Sequence, residues 1–158
     1  MSSTVAHAAS ASWVAVTFAH ISPHETSYIL ATLISASILD LDHLFYLIRD
    51  RAMYRKRGYR GNLHNARSVF HELLGLLIGG AVSALLFLAD RRLAQVVFVA
   101  FAIHIVQDWI VGKSRPLAPM DNTEVQFFSL TFKQKIWVDI IILILFGVLW
   151  IAYLAAYL

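Results

Sequence analysis

Residues 104–109 read HIVQDW, inside a run, LAQVVFVAFAIHIVQDWIV (93–111), that is otherwise almost wholly apolar. On a helix, His104 and Asp108 lie on one face about one turn apart. An imidazole and a carboxylate in so apolar a place need a partner, which can be each other, water or a metal ion. Groups of the same kind recur in three earlier segments: His7 in AHAAS (6–10), Asp40, Asp42 and His43 in ILDLDHLF (38–45), and His64, His71 and Glu72 in LHNARSVFHELLG (63–75). Asp121 follows in the loop after residue 111. Imidazole nitrogen and carboxylate oxygen without thiolate suit zinc, manganese or ferrous iron. The chain has no cysteine, which excludes disulfides, iron–sulfur clusters and thiolate metal sites. Asp40 and His43 can share a helix face, and His64, Ser68 and His71 form one stripe if their helix starts early. That supply suits two ions better than one, and two-metal sites clamp the attacking and leaving oxygens of a phosphoester.

The elements that must position these groups read as membrane spans. Hydrophobic residues make up 59% of the 158, against about 45–50% in soluble domains. Spanning takes about 20 apolar residues, and five segments qualify: 4–21, 27–48, 70–89, 93–111 and 136–158. The first is the least apolar and is built of small residues. Gly75, Gly79 and Gly80, with Ala81, Ser83 and Ala84, would let the third approach a neighbour closely. The expectation is an all-α polytopic bundle forming one integral membrane domain over 1–158. No basic stretch precedes the first apolar segment, so a cleaved signal peptide is not expected.

Lysine and arginine set the orientation. Seven lie in 49–67 and four in 112–135, so eleven of thirteen fall on one side, assigned to the cytoplasm. The short turn at 90–92 holds Arg91 and Arg92. The N-terminus is then cytoplasmic and the C-terminus outside. His7, Asp40, Asp42, His43, His64, His71, Glu72, His104, Asp108 and Asp121 all arrive at or near the cytoplasmic face, from separate segments. His20, His24 and Glu25 go to the opposite face. Ionisable groups within spans usually face the bundle interior and serve function.

Plainer readings exist for each member alone. A single interface histidine can be a solvated side chain, Asp40 and Asp42 can end a helix at the headgroups, and His104 with Asp108 can be a hydrogen-bonded pair. The basic loop is most simply a solvated face drawn to anionic lipid. Its short extent and the net charge of +3 do not point to nucleic acid. Trp109, Trp137, Trp150, Tyr153 and Tyr157 read as interface anchors or lipid-facing packing. Haem held by two histidines is disfavoured by the accompanying aspartates.

AHAAS, ILDLDHLF, ARSVFHELLG and HIVQDWIVGKSRPLAPMD (104–121), in that order, resemble the YdjM-like inner-membrane metal-dependent hydrolases. That family carries an early histidine, a P-D-L-D-H-like element, an H-R-x-x-T-H-S-like element, and H-x-x-x-D followed by a proline-containing loop. The resemblance covers about residues 6–121. It implies metal ligation by His7, Asp42, His71, His104 and Asp108, with Asp40 and His43 as ligands or supporting groups and Asp121 in the last element. A distant similarity to zinc-dependent phospholipases C implies phosphoester hydrolysis. The sequence departs from the pattern at Leu39, Ala66, Phe70 and Glu72, and a second H-x-x-x-E is absent after residue 108. His64 could stand in for the ligand missing at Ala66, and Glu72 could add a carboxylate.

The expectation from the sequence is therefore a hydrolase of a bacterial or archaeal cytoplasmic (inner) membrane. One or two divalent ions, zinc first and manganese or iron as alternatives, would activate water. Asp40 or Glu72 would orient that water or take its proton, and Arg67 or Arg115 would hold phosphate. The substrate would be a phospholipid or another lipid-linked phosphoester, reached from the surrounding membrane lipid. The competing classes are a metal-ion or proton-coupled transporter and a non-catalytic structural membrane protein. A transporter would need polar residues deeper in the spans, where Ser35, Ser37, Ser83 and glycines offer little.

Overall fold

The computed structural model describes residues 4–41, 69–121 and 123–157. It is mostly helical, with α1 (Thr4–Phe18), α2 (Thr26–Ser37), α3 (Leu73–Phe87), α4 (Arg91–Val111) and α5 (Phe132–Ala155). Two 3-10 turns, Ile38–Asp40 and Val69–His71, stand at the end of α2 and before α3. Two short antiparallel strands, β1 (Lys113–Ser114) and β2 (Val125–Gln126), pair Lys113 with Gln126 and Ser114 with Val125.

Local chemistry sets the helix ends. His20, at φ 51°, turns α1 off, and the Ile21 N–H returns to the Val16 carbonyl at 2.9 Å, the six-to-one bond of a Schellman stop. The Asp90 carboxylate caps α4 by accepting from the Arg92 and Leu93 N–H groups at 2.9 and 3.0 Å. Thr131 and Gln134 form a reciprocal capping box. That box starts α5 four residues before the expected 136.

Five full-length spans were expected. Among the described residues, two helices are long and apolar enough to cross a membrane: α4 and Lys133–Ala155 of α5. Thr26–Asp40 and Leu73–Phe87 are shorter apolar helices. The expected spans 27–48 and 70–89 are interrupted where their ionisable residues enter the interior. Asp40 and His71 both sit in 3-10 turns, and Glu72 is extended, at φ −118° and ψ −170°.

The segment that reads as the weakest span shares the centre of the bundle with α4. α1 packs against α2, α4 and α5, while α3 packs on α4. Ala11, Ala15 and Val16 of α1, with Ala19 just beyond it, form the core with Ile21, Ala36, Val96 and Ala100. Small residues let the helix axes close up, so packing replaces hydropathy there. The hydroxyls of Ser10, Ser12 and Thr17 bond to carbonyls one turn earlier on α1 itself, which satisfies them without breaking the helix.

Candidate metal centre

α4 supplies His104 and Asp108, one turn apart and both buried. His104 stands seven residues before Val111, about 10 Å inside the end of the helix. α1 brings His7, the turn after α2 brings Asp40, and the turn before α3 brings His71. His104 Nε2 lies 3.7 Å from Asp40 Oδ1, 3.6 Å from Asp108 Oδ2 and 3.5 Å from His7 Nδ1. His71 Nε2 lies 3.8 Å from Asp40 Oδ1 and 3.7 Å from Asp108 Oδ2. Two triads, His7–Asp40–His104 and His71–His104–Asp108, each place three potential ligand atoms within 4.8 Å of one another. They share His104.

The donor set fits a cation. His104 Nδ1 is 2.5 Å from the Ala36 carbonyl oxygen. A carbonyl only accepts, so Nδ1 carries the hydrogen. Nε2 is then the ring atom that faces the two carboxylates, where a cation would be held by all three. Ligand atoms held about 2.0–2.1 Å from a tetrahedral zinc stand roughly 3.4 Å apart. The separations here, 3.5–3.8 Å, are longer than good hydrogen bonds and close to that spacing. Burial is nearly complete: His71 and His104 are 0% exposed and His7 is 1%. Buried imidazoles and carboxylates in apolar surroundings require such compensation.

The other expected site residues are placed differently. Glu72 is buried, and its carboxylate accepts from Trp109 Nε1 at 3.2 Å and from the Arg115 N–H at 2.8 Å. It ties the turn carrying His71 to the end of α4 and the following loop. The guanidinium of Arg115 points to Glu124, at 2.6 Å and largely in solvent, rather than to the cluster. Asp121 is exposed and accepts from the Thr123 N–H and hydroxyl, bonds that hold its carboxyl below the usual aspartate range. Asp42, His43, His64 and Arg67 lie outside the described residues. Asp40, read from the sequence as ligand, support or base, stands among the ligand atoms.

Several contributors escaped the sequence reading. Trp109, expected as an interface anchor, turns inward and donates to the His71 carbonyl at 3.3 Å as well as to Glu72. Trp150 donates to the Ala9 carbonyl at 3.0 Å, and the Tyr153 hydroxyl bonds the Ile21 carbonyl. Trp137 and Tyr157 remain exposed, as expected. Gln107 Nε2 donates to Ser10 Oγ at 2.7 Å, linking α4 to α1 beside the His7–His104 contact. A polar residue at i+3 from His104 in an apolar run was the signal available for it.

The opposite end of the bundle is a separate clamp. Arg92 holds Glu25 with both guanidinium nitrogens, at 2.5 and 2.9 Å, and donates to the His20 carbonyl. Tyr28 donates to Asp90 at 2.7 Å. Glu25 therefore lies away from the histidines, as its position in the sequence implied.

No curated protein and no solved structure matches this chain. A match to the YdjM inner membrane protein runs over residues 1–158, the whole length that carries the four histidine and aspartate elements. The chain belongs to the YdjM inner membrane protein family.

Proposed function

We propose that this chain is a membrane-embedded, metal-dependent hydrolase that cleaves a phosphoester of a phospholipid or lipid-linked substrate at the cytoplasmic interface. The observation that carries the reading is the convergence of His7, Asp40, His71, His104 and Asp108 from four stretches of chain. A divalent ion there, zinc first, supplies Lewis acidity and water activation.

The chain's own residues do the rest. His104 is fixed by Ala36 so that Nε2 faces both carboxylates. Trp109 and Glu72 hold the turn that carries His71. Arg67 and Arg115 are the guanidinium candidates for a substrate phosphate, with Arg115 exchanging Glu124 for it. A site about 10 Å inside the helix end lies within reach of a headgroup rather than of a soluble metabolite. The phosphoester class follows from the distant similarity to zinc-dependent phospholipases C that the family resemblance implies, and from the affinity of clustered divalent ions for phosphate oxygens. The reading includes five spans, three of them (α1, α2 and α3) shorter than a full crossing.

Elemental analysis of detergent-purified protein, followed by phosphate or phosphoalcohol release from mixed lipid micelles, tests the proposal. Bound metal with lipid-dependent release supports it. Bound metal without turnover, combined with metal uptake in proteoliposomes, would assign the site to transport. Absence of bound metal at neutral pH leaves the structural reading. Sidedness is tested separately, because the chain has no native cysteine. His24→Cys and Met120→Cys, exposed near opposite ends of α4, should label from outside and inside respectively. Labelling of Met120→Cys from outside intact cells reverses the assigned orientation.

A further inference from the structure

At the end of the bundle away from the histidines and aspartates, α3 and α4 leave a groove of about 490 Å³ between them. Phe87 and Phe98 wall it, and Gly80 and Ala84 give it room. A β-carbon on Gly80 would still stand 3.7 Å from the Phe98 ring. Such an apolar volume is in the range of small-ligand sites.

Two polar features interrupt this apolar lining. Ser83 lines the groove, is 6% exposed, and its hydroxyl has no hydrogen-bond partner among the described residues. The α1 hydroxyls bond back to their own helix, whereas Ser83 is left facing the groove. A buried orphan hydroxyl calls for an acceptor brought from outside. The second feature is Arg91. Its guanidinium lies 5.0 Å from the centre of the ring of Phe87, one wall of the groove. It has no ion pair among the described residues, whereas its neighbour Arg92 is committed to Glu25.

Along α3, Phe87 lies under Arg91 of α4, and Ser83 follows one turn deeper, about 6 Å along the axis. An anion at Arg91, an acceptor about one turn below and an apolar body describe a phosphate, an ester carbonyl and an acyl chain. A second copy packed through this face would bring α3, which holds no acidic side chain, and a second Arg91 rather than an anion. We infer that this groove binds one anionic glycerophospholipid, with its phosphate on Arg91, an ester carbonyl on Ser83 and an acyl chain against Phe87 and Phe98. Gln95, at the rim, offers an amide to the second ester. This site lies at the opposite end of α4 from the metal centre, so it stands or falls independently of the hydrolase reading.

Native mass spectrometry of the delipidated full chain, titrated with phosphatidylglycerol and with phosphatidylcholine, tests the inference. The expected result is one saturable adduct, with phosphatidylglycerol preferred at least about fivefold. Arg91→Gln should abolish that preference, Ser83→Ala should weaken both lipids, and Ala84→Phe should remove the adduct by filling the groove. Arg91 is exposed, so Arg91→Gln decides the matter even if Ala84→Phe fails to fold. The inference is overturned by non-saturable attachment only, or by an adduct that none of these variants changes. A lipid-free dimer that Ala84→Phe dissociates also overturns it and gives the groove to a second copy.

Discussion

His104 and Ala36 meet through a single bond: the imidazole Nδ1–H to the carbonyl oxygen, at 2.5 Å. That bond fixes both the tautomer and the direction of the ring, in the way that carbonyls and carboxylates commonly orient metal-binding histidines. It turns Nε2 toward Asp40 and Asp108, at 3.7 and 3.6 Å. The acceptor is the helix α2 backbone, so no side-chain substitution in α2 removes it directly.

Zinc binding should stabilise the wild-type fold and do little for variants lacking a ligand. At free zinc 100-fold above the dissociation constant the gain is about 2.7 kcal/mol. His104→Ala and Asp108→Asn should lose most of that gain and most of the bound metal. Thermal unfolding with and without chelator, paired with elemental analysis, checks both. Equal melting shifts in wild type and Asp108→Asn would count against the site.

Trp109 acts one step removed. Trp109→Phe keeps the ring but deletes the N–H that holds the His71 carbonyl and Glu72. Supporting residues of metal sites typically alter affinity about 10–100-fold, and a loss in that range is expected, with the fold retained. Competition with a chromogenic zinc chelator gives the number. Glu72→Gln should behave alike, since the Arg115 N–H and Trp109 both lean on its carboxylate.

Gly75 and Gly80 should respond oppositely to alanine. A β-carbon at Gly75 would stand 1.8 Å from the Phe70 carbonyl oxygen, and a main-chain atom cannot step aside without moving the turn that carries His71. Gly75→Ala should cost about 1–3 kcal/mol, the range for forced overpacking, and weaken metal binding. Gly80→Ala meets only the Phe98 ring at 3.7 Å and should be neutral or gain up to about 1 kcal/mol from helix propensity. Denaturation midpoints in one detergent compare the two.

The far clamp predicts an acid-sensitive contribution. Arg92 holds the Glu25 carboxyl below its ordinary value of 4.5, helped by the Ser22 N–H and opposed by desolvation. The unfolded carboxyl therefore takes up its proton first as pH falls. The stabilisation is complete above 4.5 and is lost as pH drops through the lower folded value. The Asp90 carboxyl, lowered chiefly by the Leu93 N–H and then by Tyr28, shifts the same way. Wild type should exceed Glu25→Gln in melting temperature at neutral pH, and the gap should close in acid. A gap that widens in acid contradicts the assigned pairing.

The convergence of the site was legible because it needs only span order and the distribution of lysine and arginine. Once 4–21, 27–48, 70–89 and 93–111 alternate direction, His7, Asp40, His71 and His104 must arrive at one end. What the sequence hid was tertiary. The tightening to 3-10 after Ser37 and the break before Leu73 carry no proline, and Gly75 reads as a helix-packing glycine until Phe70 is seen against it. α1 reads as the weakest span because its alanines and serines face protein rather than lipid. Trp109 and Trp150 read as interface residues because amphipathic rings serve either place, and only the partner decides. Glu72 reads as a spare carboxylate beside His71, while its actual bonds go to Trp109 and to the backbone after α4.

The bond from Trp150 to the Ala9 carbonyl joins the first helix to the last. His7 and Ala9 share one turn of α1, so the helix that brings one ligand is braced by a residue 141 positions later in the chain. All five donors, within residues 7–108, are made before α5, which supplies none of them and instead braces α1. The donor set is complete before the last helix arrives, and α5 acts as a latch on α1 rather than as a source of ligands.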